Sequence, residues 1–229
     1  MALQKSSIEK LSTIYNVLTE MEGGKRMAEM IQEVIRAESA TAKVGKFNIF
    51  DYTDKDHDAQ AYIVYKSIYH HEGQQIATDG RILMVTKSDY PSEIEGKLLL
   101  KNGETVEGKF PNWEKVVPMY PLNNGYREIT LKTEGFLPWL SQIRAEYKAK
   151  YVKGRTWSDY WYVRVDGTYL RAEYFSKLMA AASHLGTDKI LVKENDTSRP
   201  VIVQNENGSC LLMPCYKPDD DENLRVLDI

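Results

Sequence analysis

The 229-residue sequence predicts an α+β fold rich in antiparallel sheet. Three observations lead there. Asp79-Gly80, Asn102-Gly103, Asp166-Gly167 and Asn207-Gly208 each fall between apolar stretches of strand length. Asn-Gly and Asp-Gly reach the positive φ angles of a tight hairpin at little cost. Between these hairpins lie stretches with apolar residues every three or four positions, the spacing of one helix face. Helices mixed with hairpins, and not alternating with single strands, indicate α+β architecture.

Taken in order, residues 7–20 and 25–38 read as helices separated by Gly23-Gly24. The second carries Met27, Met30, Ile31, Val34 and Ile35 on one side. QQIATDGRILMVT and KLLLKNGETVEGKF then supply two hairpins. Pro111, Pro118 and Pro121, followed by Asn123-Asn124-Gly125, break both helix and strand and mark a boundary between two halves. Residues 135–150 read as a helix with Phe136, Leu137, Leu140, Ile143 and Tyr147 on one side. Pro138 fits its first turn, where a missing N–H costs little. YWYVRVDGTYLRA is the third hairpin, residues 172–185 the next helix, stopped by Gly186, and VIVQNENGSCLLM the fourth hairpin. The acidic end is expected to be disordered or loosely docked.

Composition excludes several classes. Two cysteines cannot make a disulfide scaffold. No apolar run approaches the ~20 residues of a membrane span, and MALQKSSIEKL lacks the apolar core of a signal peptide, so a cytoplasmic setting without membrane contact is expected. The net charge of −3 is not that of a globally basic nucleic-acid binder. Charge is unevenly spread, however. Residues 141–155 carry a net +4, and residues 219–229 a net −4 that masks it in the whole-chain sum.

Catalytic and metal motifs are absent. There is no phosphate-binding glycine loop, HExxH or GxSxG. His70 and His71 are adjacent, so on a strand they face opposite ways, and they read as exposed strand-end residues. Cys210 and Cys215 read as packing thiols. Asp51, Asp54, Asp56 and Asp58 resemble part of a calcium loop but lack its glycine and distal glutamate. Neither enzyme chemistry, metal nor cofactor is expected. Tyr147, Tyr151, Trp157, Tyr160, Trp161 and Tyr162 crowd the basic segment. They could stack nucleic-acid bases, although strand aromatics more often pack in a core.

Three segments together are more specific: ATDGRIL from Ala77, EGKFPNWEKVVP from Glu107, and RPVIVQNENGSCLLMPCY from Arg199. In this order they resemble the bacterial DNA polymerase III beta subunit family, the DNA sliding clamps. That family carries an ATDGHRL-like hairpin in its middle domain. An EGxFPxYxxVxP segment leads into its last domain, and a Val/Leu-x-Met-Pro strand closes the chain. Here Arg81 stands where histidine is frequent, Ile82 where arginine is usual, and Trp113 for tyrosine. The resemblance implies a DNA-clamp-like fold of two abbreviated domains, 1–115 and 116–218, followed by an acidic tail, 219–229. The family's first domain has no counterpart, as in a shortened relative carried by a phage or mobile element.

In the family these segments build a pocket that receives peptides from polymerases and the clamp loader. Carried over by position, the pocket here is Thr78, Gly80 and Leu83, then Pro111 and Val116, then Leu211 and Met213, with Val64 as a further candidate. The resemblance also implies a DNA-facing surface for sequence-independent contact with double-stranded DNA: Arg144, Lys148, Lys150, Lys153, Arg155 and Lys177, with Lys25, Arg26 and Arg36 from the first half. Two domains per chain would need a homotrimer for a six-domain ring. The expected role is a non-enzymatic processivity scaffold; the alternative is a monomeric peptide-binding adaptor that no longer encircles DNA. In either case Leu224, Val226, Leu227 and Ile229 of the tail could occupy the pocket as an internal ligand.

Overall fold

The structure is a computed structural model, and it describes residues 47–54, 60–118, 120, 125–131, 139, 141–142, 161–218 and 224–229. The helices expected at 7–20 and 25–38 lie outside these residues. Of the one expected at 135–150, Trp139, Ser141 and Gln142 are described, and all three are helical.

Among the described residues, twelve strands form two sheets. The larger contains β1 (Ile68–His71), β2 (Gln74–Thr78), β3 (Ile82–Lys87), β4 (Leu98–Leu99), β5 (Thr105–Val106), β6 (Tyr126–Thr130), β9 (Lys189–Lys193), β10 (Val201–Asn205) and β11 (Gly208–Leu212). Its order is β5-β4-β1-β2-β3-β11-β10-β9-β6, and every pairing is antiparallel. The smaller sheet contains β7 (Trp161–Val165), β8 (Thr168–Arg171) and β12 (Arg225–Asp228), in the order β12-β7-β8. One helix, α1 (Ala172–Leu185), follows β8 directly and packs against both sheets. The fold is α+β, as the interleaved pattern requires.

The central strands are apolar almost throughout because both faces of the sheet are covered. Ala77, Met84, Val203, Cys210 and Leu212 face α1 and share its core with Phe175, Leu178 and Leu185. The alternate residues Ile76, Leu83, Val85, Ile202 and Leu211 face the other way and pack with Phe110. This is the period-two alternation of a strand applied to a two-sided sheet.

All four hairpins form. Asp166-Gly167 is a two-residue turn with both residues at positive φ, and Val165 pairs with Thr168 across it. The last hairpin turns one residue earlier than the sequence suggests. Its loop is Glu206-Asn207, and Gly208 is already the first residue of β11, opposite Asn205. That glycine is required by contact: a Cβ there would stand 2.2 Å from the Val85 carbonyl of β3. A fifth hairpin at Glu72-Gly73 joins β1 to β2, with both residues at positive φ. It carries no Asn or Asp signal, since glutamate seldom adopts that conformation.

The seam of the large sheet is β3 against β11, where Ile82 pairs with Leu212 and Thr86 with Gly208. Strands β1–β5 lie on one side of it and β6, β9, β10 and β11 on the other, so the sheet is continuous between the two halves of the chain.

Two expectations are corrected. The end of the chain is not frayed or loosely docked. Residues 225–228 add to β7 as a parallel strand, Arg164 grips the Asp228 carboxylate, and Leu227 and Ile229 pack on the α1 core. His70 is not an exposed strand-end residue either. It is fully buried, its ring edge-on to Tyr90 at 4.6 Å, and burial pushes its pKa down. His71 does face the opposite side, with Nδ1 3.4 Å from Glu95.

Candidate functional site

The β2–β3 loop builds the first wall of a cleft. The Thr78 hydroxyl donates to the Ile82 carbonyl at 2.8 Å and accepts from the Gly80 N–H at 3.0 Å. Asp79 Oδ1 accepts from the N–H groups of Arg81 and Ile82 at 2.9 and 3.0 Å. Gly80 sits at φ +87°, a left-handed conformation that any side chain would strain. The loop is therefore held by its own side chains. Two longer contacts tie it to α1: Asp79 Oδ2 lies 3.8 Å from Lys177 Nζ, and the Arg81 guanidinium donates to the Tyr174 hydroxyl at 3.2 Å.

The second wall is the segment 110–118, which crosses the sheet face opposite α1. Phe110 stacks on Tyr69 at 5.1 Å and is buried in the core on that face. Pro111 accepts from the Trp113 N–H at 2.8 Å, starting a 3-10 turn over Trp113–Lys115. At the far end, Gln204 of β10 donates to the Pro118 carbonyl at 2.6 Å. The segment is thus fastened at both ends, with Pro111, Trp113 and Val116 between.

The third wall is the end of β11. Leu211 pairs with Leu83, and the Met213 N–H donates to the Arg81 carbonyl at 2.9 Å. The three walls enclose an open cavity of about 170 Å³. Thr78, Gly80, Leu83, Pro111, Val116, Leu211 and Met213 all line it. Leu83 and Leu211 are floor, 8% and 2% exposed, whereas Val116 and Met213 are rim, 54% and 45% exposed. Val64 does not line the cavity. It packs into the core beneath, and its neighbour Tyr65 lines the cleft instead.

Sequence reasoning left out Tyr65, Arg81, Ile82, Phe110, Asn112 and Trp113, which also line the cavity. Five of these lie inside the quoted segments, where the run Phe-Pro-Asn-Trp was the available signal. Tyr65 comes from a 3-10 turn, Gln60–Lys66, with no distinguishing pattern. The possibility that the tail fills the cleft as an internal ligand is set aside by the placement of β12 on β7, where Val226 and Leu227 pair with Tyr162 and Val163.

Of the DNA-facing candidates, Arg144, Lys148, Lys150, Lys153 and Arg155 lie outside the described residues, as do Lys25, Arg26 and Arg36. Lys177 is on α1, where its ammonium faces Asp79 and lies 4.7 Å from the Tyr174 ring. Trp161 and Tyr162 are buried in β7, packed as core aromatics. Cys210 is buried, and the Cys215 thiol donates to the Tyr169 carbonyl at 3.1 Å. Burial pushes both thiol pKa values up. No cluster of three or more metal-binding side chains occurs among the described residues, and no helix among them is long and apolar enough to cross a membrane.

No protein-family model matches the chain, and no curated protein does. Similar chains are found among solved structures. The Caulobacter crescentus beta sliding clamp is 12% identical over 80% of this chain and 64% of its own, with a TM-score of 0.47. The Helicobacter pylori beta clamp is 13% identical over 78% and 63%, with a TM-score of 0.46. A sliding clamp from Bartonella birtlesii, bound to griselimycin, is 12% identical over 80% and 65%, with a TM-score of 0.44. The chain thus spans a little under two thirds of the length of each of these clamps.

Proposed function

We propose that this chain is a non-enzymatic scaffold of sliding-clamp type that tethers partner proteins, a DNA polymerase or clamp loader among them, through the cleft between β2–β3, segment 110–118 and the end of β11. The observation that carries the reading is convergence. Three segments singled out by motif, spread over residues 78–213, meet at one cavity. Nothing local in the sequence requires that meeting.

The chemistry fits an extended peptide. A floor of leucine, a wall of proline and tryptophan and a methionine rim make an adaptable apolar cleft. Gly80 leaves room for a peptide backbone to approach the loop. Burying one leucine or phenylalanine anchor contributes about 1.5–3 kcal/mol. A single short peptide should therefore bind weakly, and tight tethering would come from several contacts at once.

In this reading the two abbreviated domains, 1–115 and 116–218, are arranged as a homotrimeric ring around double-stranded DNA. Arg144, Lys148, Lys150, Lys153 and Arg155 face the phosphates without reading bases. A second reading is favoured at Lys177, whose ammonium faces Asp79 and not open solvent: a monomeric adaptor keeps the cleft and does not encircle DNA. Two measurements decide. Titrating a labelled apolar peptide against the wild type and the Leu83→Ala, Met213→Ala double variant tests the cleft; equal binding by two folded proteins refutes it. Solution mass together with retention on closed circular DNA tests the ring. A trimer retained until the circle is cut supports the clamp, and a monomer washed off the intact circle supports the adaptor.

A further inference from the structure

We infer that the segment received by this cleft is acidic as well as apolar, with an Asp or Glu side chain held at Arg81 beside the apolar anchor. The inference rests on reading the cleft as a peptide site and adds the charge of the partner.

Arg81 is the one charged residue among those lining the 170 Å³ cavity. A second, larger cavity of about 480 Å³ meets the first at Met213, and its one charged lining residue is Lys217. Two adjoining clefts that share a rim methionine thus each present a single charge, and both charges are positive. Asp79 and Asp54 attract the Arg81 guanidinium electrostatically, while its side-chain hydrogen bond goes to Tyr174. Asp79 is occupied by two loop N–H groups and faces Lys177, and Glu114 lies 3.9 Å from His71.

The Arg81 guanidinium has donors to spare. Arginine carries five N–H donors in a planar fork that matches a carboxylate. Among the described residues it donates one hydrogen bond, to the Tyr174 hydroxyl. That phenol is neutral at physiological pH, its pKa pushed up to about 12 chiefly by burial. Tyr174 thus orients the fork without neutralising it. Arg81 is exposed, so a charge-assisted hydrogen bond made there is partly screened by solvent and adds a modest increment to the apolar anchor. Arg81 is also placed to act with the anchor, because its own carbonyl holds the N–H of rim residue Met213.

The test uses the full chain and fluorescein-labelled eight-residue peptides, each with one Leu and one Phe in a Gly-Ser background. The flanking positions are Glu, Gln or Lys, and affinity is read by fluorescence anisotropy. On the wild type the Glu peptide should bind about five- to tenfold more tightly than the Gln peptide. The preference should vanish in Arg81→Gln and turn toward the Lys peptide in Arg81→Glu. Met213→Ala should weaken the Glu and Gln peptides alike. If the wild type binds the Glu and Gln peptides equally, the acidic partner is refuted while the cleft as a peptide site stands. If the wild type binds none of the three, the peptide site itself fails. A Glu preference that survives in Arg81→Gln overturns the assignment to Arg81. So does a loss of DNA retention in that variant with peptide preference unchanged, which would make Arg81 a phosphate contact.

Discussion

Leu211, in β11, and Met213, just past its end, line the same cleft, yet they should fail differently. Leu211 is floor and core at once, so Leu211→Ala leaves a cavity and should cost about 2–4 kcal/mol of stability. Met213 is nearly half exposed, so Met213→Ala should leave the melting temperature within a degree or two of wild type while weakening peptide binding. Thermal melts beside peptide titrations separate the two. Gly208→Ala should be more damaging than either the residue's size or its turn position suggests. Its new methyl must displace the Val85 carbonyl, and urea denaturation should show a loss of about 2 kcal/mol or more. His70 gives a pH signature. Burial lowers its pKa below the ordinary 6.5, so the folded protein holds it neutral and the unfolded chain binds the extra proton. Stability from this group is complete above about pH 6.5 and declines as pH falls toward the folded pKa, by at most about 1.4 kcal/mol per pH unit. Melting followed from pH 7.5 to 5.5 should show this decline, and His70→Gln should lessen it, the remainder coming from His184, whose pKa burial also lowers. The carboxylates held low by hydrogen bonds, Glu95, Asp196 and Asp228, act in the same direction, their windows opening at lower pH.

At the level of elements, legibility in the sequence followed the locality of the physics. Helix α1 occupies the residues its spacing indicates, 172–185, because apolar periodicity and a terminal glycine are both local signals. Asp166-Gly167 turns as its dipeptide dictates. Glu72-Gly73 was hidden because only half of its turn is written in a favourable residue. The Asn207-Gly208 pair was misread by one position because Gly208 answers to a contact with β3 and not to the turn. The cleft residues were named by motif, but what joins their walls was not readable: the Gln204–Pro118 bond, the Phe110–Tyr69 stack and the Arg81–Tyr174 contact each join residues far apart in the chain. Strand β12 was missed for the opposite reason. Its acidic approach suggested solvent, while the apolar run of Leu224, Val226, Leu227 and Ile229 was too short to outweigh it. Removing residues 224–229 should therefore lower the melting temperature by several degrees, through loss of the β7 pairing and of Leu227 and Ile229 from the core. The cleft lies on the other sheet, so peptide affinity should be retained in whatever fraction is folded.

For the whole molecule, the unequal distribution of charge sets the expectation. The net −3 conceals a +4 segment at 141–155. Any DNA association should weaken steeply as salt rises, because phosphates neutralised by lysine and arginine release their counterions. Binding to circular DNA measured between 50 and 200 mM salt should fall, and replacing Lys148 and Lys150 together with glutamine should reduce the slope by about two. An affinity indifferent to salt would remove DNA from the proposed partners. Peptide binding at an apolar floor should respond less, so the two activities are separable in one preparation.

The β3–β11 seam also bears on the order of assembly. It joins residues 82–86 to residues 208–212, contacts between the first and last parts of the chain. Such non-local pairing is formed only after a long loop is closed, which places the fold among slow, high-contact-order topologies. The β1–β2–β3 meander and the β10–β11 hairpin are local and should gain hydrogen-exchange protection early, with the seam protected last. Because Leu83 and Leu211 face each other across that seam, the cleft has no floor until the final docking step. A newly made chain would be unable to engage a partner before its last strands have arrived, so partner binding would read out completed folding.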